Sequence, residues 1–151
     1  MTFLKSTTAA LALGCALSAH AADGLVVVKS PHSAADTASR LVVAVQARGL
    51  KLFARIDHAA GAATIGTTLR PTEVFIFGNP QGGTPLLECA QTADIDLPLK
   101  ALVWQDDKGQ VWFGYNDPAW MAARYGASSC VVVPNLAKAL AGLAAAAATA
   151  P

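Results

Sequence analysis

The chain has 151 residues, 54% of them hydrophobic and 14% charged, enough apolar material for the core of one domain. Lys and Arg number 11 against 10 Asp and Glu, with no basic stripe and no acidic surplus, which argues against nucleic acid or an anionic lipid surface as the partner. The three His and three Cys form no His-x-x-His or Cys-x-x-Cys pair, so nothing in the spacing points to a structural metal site.

Residues 1–21 read as an export leader. Lys5 supplies the basic start, an apolar stretch runs from about Ala9 to Leu17, and Ala19-His20-Ala21 has the small-x-small pattern of a leader-peptidase site. Gly14-Cys15 looks like the end of a lipobox, but Ala12-Leu13 precedes it in the wrong order and the later site is better. Cleavage after Ala21 is expected to release a periplasmic or secreted protein. It removes one basic residue, leaving 10 of each sign and a mature net charge of zero. The apolar stretch falls short of the roughly 20 residues of a membrane span, so no membrane insertion is expected after cleavage.

"GLVVVK" at 24–29 predicts a first strand. A helix follows, capped by Ser33, with Ala38, Leu41, Val42 and Val45 on one face and Gly49 at its end. "KLFARIDH" alternates, with Leu52, Ala54 and Ile56 on one side and Phe53, Arg55 and Asp57 on the other, as in a half-buried strand. The glycine-interrupted stretch from Ala59 to Pro71 predicts a loop or a helical turn, and "TEVFIFGN" is apolar on both faces like a central strand. In "NPQGGTPLLECA", Thr84 predicts a helix cap with Pro85 at the first helical position. Two alternating runs flank Asp107, Lys108 and Gly109, a hairpin. Asp117-Pro118 starts a short helix that Gly126 ends, and Asn135 caps a tail helix running into an alanine tract. This order predicts an α+β fold in which helices cover one face of a mainly antiparallel sheet.

"KLFARIDHAAGAATIGTTLRPTEVFIFGNPQGGTPLL" together with "DLPLKALVWQDDKGQVWFGYNDPAWMAARYG" closely resembles the domain-of-unknown-function family numbered 302. The resemblance implies a β-α-β(4)-α order with a layout like that of TATA-binding-protein-like folds, and a homodimer. It carries no reaction, and the fold analogy implies nothing about DNA. The expected organisation is a leader at 1–21, the family domain at 22–133 and an alanine-rich helix at 134–151.

Four polar residues at predicted strand ends form the candidate ligand site: His58, Arg70, Asn79 and Asn116. By alternation His58 shares the core-facing side of Leu52, Ala54 and Ile56. In "FGNPQGGTP", Gly82 and Gly83 offer either backbone N–H groups to a carboxylate or phosphate, with Arg70 adding charge, or a tight turn with positive φ in which Asn79 bonds its own backbone. Arg70 and Glu73 flank Pro71 and can pair at a strand entry. Asn116 lies on the parity of Trp112 and Gly114, and Gly114 signals a close backbone approach or a bulge.

Cys89 and Cys130 are either a disulfide, which an oxidising compartment permits, or two small buried hydrophobes. The favoured expectation is a small-ligand or partner-binding domain whose cofactor the sequence does not name. One alternative is a thiol- or histidine-dependent enzyme using His58 with Cys89; another is a purely structural or dimer-interaction protein, with no polar-lined cleft and a large apolar patch on its outer sheet or helix face.

Overall fold

The computed structural model describes residues 23–149, so the leader and its cleavage site lie outside the described residues. The strands are β1 (Leu25–Ser30), β2 (Lys51–Asp57), β3 (Thr72–Gly78), β4 (Leu99–Gln105) and β5 (Val111–Asn116). The helices are α1 (Ala34–Ala47), α2 (His58–Ala63), α3 (Pro80–Cys89), α4 (Pro118–Arg124) and α5 (Val133–Ala148), with a 3₁₀ turn at Gln91–Asp96. One sheet runs in the order β1-β5-β4-β3-β2 with every neighbouring pair antiparallel. The predicted α+β class and antiparallel sheet are what the chain forms.

Local chemistry accounts for the elements. At the start of α1 the Ser33 Oγ accepts the Asp36 backbone N–H at 3.0 Å, satisfying a donor the helix cannot bond internally. Leu41 and Val45, one turn apart, are fully buried against the sheet. The β4–β5 hairpin closes on Asp106, whose Oδ1 accepts the backbone N–H groups of Lys108 at 2.9 Å and Gln110 at 2.8 Å, with Gly109 taking φ +79°. A buried Ser30–Thr37 hydroxyl pair at 2.8 Å ties β1 to α1.

The main core lies between α1, α5 and one face of the sheet, where Phe75, Phe77, Phe113 and Val103 meet Leu41, Leu140 and Leu143. Each such side chain contributes roughly 1.5–3 kcal/mol on leaving water. A second cluster gathers Leu86, Met121, Cys130, Val132 and Leu136 around α3, α4 and the start of α5. Through it runs a Cys89–Cys130 disulfide with a Cα–Cα separation of 6.0 Å, Cys130 buried and Cys89 exposed. The opposite sheet face, with Val27, Val74, Ile76, Leu102, Trp104 and Trp112, buries none of these side chains completely.

Several elements differ from the sequence reading. A bulge between Leu52 and Ala54 pairs Leu52 with the buried Phe77 but Ala54 with Ile76 and Ile56 with Val74. Leu52 therefore faces the helices, whereas Ala54 and Ile56 face outward. Helix α3 begins at Pro80 with Asn79 as its cap, not at Thr84, and Pro85 lies inside it. Helix α5 starts at Val133, two residues before the expected cap Asn135. The segment set apart as a tail also sends Leu140, Leu143, Ala144, Ala147 and Ala148 into the main core.

Candidate functional site

The sheet has two ends. Lys51, Gly78, Leu99, Asn116 and Leu25 mark one, and Asp57, Thr72, Gln105, Val111 and Ser30 the other, about 20 Å away for strands of this length. Antiparallel pairing fixes this partition, so it also fixes which strand-end residues meet.

At the first end, α3 leaves β3 and folds back so that a cleft of about 540 Å³ opens between it, α5 and the ends of β2 and β3. Its walls are Leu50 and Phe53 from β2 and its approach, Leu97 and Leu99 from the approach and start of β4, Leu87 from α3, and Leu136, Ala139, Leu140 and Leu143 from α5. Asn79, Gln81, Thr84, Asp94 and Asn135 supply its polar groups. An apolar cleft of this size with few polar groups is a common form of small-ligand site.

Two devices hold the walls. The disulfide fastens the last residue of α3 to the segment leading into α5. On the other side, Asp96 accepts the Tyr125 hydroxyl at 2.6 Å and an Arg124 N–H at 3.2 Å, clamping α4 to the 3₁₀ turn that carries Asp94 and leads into Leu97. The hydrogen bond to Asp96 is the main reason the Tyr125 hydroxyl is harder to ionise than usual.

Of the four residues expected to rim one cleft, only Asn79 lines this one. Its Oδ1 accepts the Gly82 N–H at 2.9 Å, and its carbonyl accepts Gly82 at 3.2 Å and Gly83 at 3.1 Å. The two glycine N–H groups are thus consumed by Asn79 and do not form an open anion cradle. Neither glycine has positive φ; both are helical. Asn116 ends β5 at the same end of the sheet, exposed, opposite Leu25 of β1 and away from the cleft.

His58 and Arg70 stand at the other end. β2 stops at Asp57, which caps α2 by accepting the Ala60 N–H at 2.9 Å, so His58 begins a helix and is exposed rather than facing the core. Arg70 donates from Nε to the Gln105 carbonyl at 3.2 Å, while Glu73 pairs across the β2–β3 ladder with Arg55. The expected convergence of four groups and the Arg70–Glu73 pair are therefore both absent.

Cys89 spends its thiol in the disulfide, which removes the nucleophile required for a His58–Cys89 pair. Among the described residues no cluster of three or more His, Cys, Asp or Glu side chains is arranged to hold a metal ion. Of the polar cleft residues, sequence reasoning missed Gln81, Thr84, Asp94 and Asn135. The only signal for Asp94 is a polar residue between apolar ones, and Asn135 reads as a helix cap.

A family model described as "Domain of unknown function DUF302" matches residues 26–146. The chain belongs to this family. Its match extends through most of α5, so the DUF302 domain takes in the helix that the sequence sets apart as a tail. A crystal structure of an uncharacterized conserved DUF302 protein from Bacillus stearothermophilus superposes with a TM-score of 0.75. That likeness covers 83% of this chain and 99% of the other at 18% identity, and so speaks to fold alone.

Among curated proteins, "Fluoride-specific ion channel FluC 1" of Brucella suis is 48% identical over 112 residues, 73% of this chain and 44% of the relative. A protein of the same name from Brucella abortus is also 48% identical over 112 residues, which are 42% of its length. The DUF302 chain thus spans less than half the length of these relatives. No helix among its described residues is long and apolar enough to cross a membrane.

Proposed function

We propose that this DUF302 domain is an exported binding module that holds a small, largely apolar molecule in the cleft between α3, α5 and the ends of β2 and β3. The observation that carries this reading is the cleft itself: about 540 Å³ of space walled by leucines and Phe53, with polar groups gathered around it. Export rests on the leader pattern of residues 1–21, and a disulfide suits an oxidising compartment. The channel activity in the relatives' names belongs to proteins more than twice as long as the matched stretch. In this reading the present domain corresponds to a module carried beside a channel portion and does not itself conduct ions.

The test is to fill the cleft from the α3 wall. A Cβ on Gly83 meets only Leu97 Cδ1, at an ordinary 3.7 Å, and leucine is the better helix former. Gly83→Leu is therefore expected to leave the far-UV circular dichroism and urea midpoint unchanged or raised, while abolishing the fluorescence that N-phenyl-1-naphthylamine gains with the native protein. Probe binding that survives the substitution rejects the reading, as does a native protein that never binds the probe.

The open sheet face favours a second reading, in which two copies pair. Val27, Val74, Ile76, Leu102, Trp104 and Trp112 present a nearly continuous apolar surface, bordered on the same face by Lys29, Lys51 and Lys100. Sedimentation equilibrium should give a dimer for the native domain and a monomer for Leu102→Asp. A native monomer, or an unaltered dimer in the variant, removes this assembly.

A further inference from the structure

We propose that the molecule held in the cleft is a hydrophobic amine, with its apolar body among the leucines and its ammonium group at the Asp94 carboxylate. This deepens the reading of the cleft as a binding site and rests on it. Asp94 is the one ionisable side chain among the cleft-lining residues, it is exposed to solvent, and its carboxylate has no side-chain partner among the described residues.

The two features that would otherwise welcome an anion are unavailable. The Gly82 and Gly83 N–H groups at the start of α3 are bonded to Asn79, and Arg70 sits at the opposite end of the sheet, bonded to Gln105. Two lysines lie nearer. Lys100 donates to the carbonyls of Asp96 at 2.9 Å and Pro98 at 3.0 Å, and Lys51 stands 5.4 Å from the centre of the Phe53 ring; neither lines the cleft. An anionic head would have to displace one of these arrangements and lie beside a carboxylate. An ammonium meets a charge of opposite sign and breaks nothing, while an alcohol neither gains nor loses by it.

Titration calorimetry with three probes of equal chain length, decylammonium, decanol and decanoate, each kept below its micelle concentration at pH 7, separates the cases. Decylammonium is expected to bind about five-fold tighter than decanol, the size of a partly exposed charge pair, and decanoate more weakly than decanol. Asp94→Asn should make decylammonium and decanol equal without changing the affinity for decanol. Decanoate binding as tightly as decylammonium, or an ammonium preference that survives Asp94→Asn, overturns the proposal. Decanol and decylammonium binding equally to the native protein overturns the charge preference but leaves the cleft reading intact. Failure of all three probes removes both. Because Asp94 is exposed, unchanged circular dichroism of the variant is expected, and the decanol affinity serves as an internal check that the cleft persists.

Discussion

Asn79 accepts the Gly82 N–H through its side chain at 2.9 Å, so the residue that follows β3 also caps α3 and lines the cleft. A Cβ on Gly82 would stand 3.3 Å from the Asn79 Oδ1, a close contact that glycine avoids. Asn79→Ala is expected to lower stability by about 1 kcal/mol through loss of the cap, with Asn79→Asp restoring most of it. Urea unfolding of the three proteins decides the matter; equal midpoints would mean that the cap contributes nothing.

The Cys89–Cys130 bridge closes a loop across a sequence separation of 41. In the chain-entropy account a loop of that length stabilises the folded protein by about 4 kcal/mol. Cys89→Ser with Cys130→Ser should therefore lower the urea midpoint strongly, and reductant should destabilise the native protein but not the double variant. A native protein whose mass does not rise by two hydrogens on reduction carries no bridge.

Gly114 lies under the indole of Trp104, where an added Cβ would be 2.9 Å from Cζ3 and 3.4 Å from the Val26 carbonyl. Trp104 is itself stacked on Trp112, with ring centroids 6.4 Å apart. Gly114→Ala must displace the Trp104 indole and is expected to cost about 1–3 kcal/mol. A blue-to-red change in tryptophan emission should accompany the loss, and an unchanged spectrum at unchanged stability would show that the indole moves freely.

The Trp112 indole N–H donates to Asp106 Oδ2 at 2.8 Å, and this bond is the main cause holding the Asp106 carboxyl below its usual pKa; the Gln110 and Lys108 N–H groups add to it. A carboxylate more acidic in the folded than in the unfolded chain contributes stability that is complete above the ordinary aspartate range. That stability is lost as pH falls through the lowered folded value. Asp106→Asn should remove this acid-side loss, so the midpoints of variant and native protein converge as pH drops below 4. A constant gap between them across that range would refute the linkage.

Elements whose signals are local were legible in the sequence. Ser33 caps α1, Gly126 follows α4 with φ +69°, and the β4–β5 turn falls on Asp107, Lys108 and Gly109. The site was not, because it depends on events that no periodicity records. One extra residue at Phe53 reverses which side of β2 faces the helices, which undid the parity argument for His58. Asn79 as the cap of α3 was hidden by Thr84-Pro85, an equally good starting signal placed five residues later. Alternation marks a strand end without saying which end of the sheet it joins, and the antiparallel sheet sends His58 and Arg70 to one end and Asn79 and Asn116 to the other.

The packing of the alanine-rich segment was equally hidden in the sequence. Alanine suits a helix but says nothing of what the helix covers, and the run after Leu143 reads as a fraying tail. Its small side chains instead let α5 lie close along α1, with Ala144, Ala147 and Ala148 buried beside Leu140 and Leu143. Leu143, fully buried, also lines the cleft. Leu143→Ala should therefore cost about 2–5 kcal/mol, the range for emptying a core leucine site, and should enlarge the cleft. Lys138→Ala, on the exposed side of the same helix, is expected to stay within about 0.5 kcal/mol of the native protein. Comparing the two by urea unfolding separates a core helix from an appendage: an appendage tolerates both substitutions, whereas a helix that completes the domain tolerates only the second.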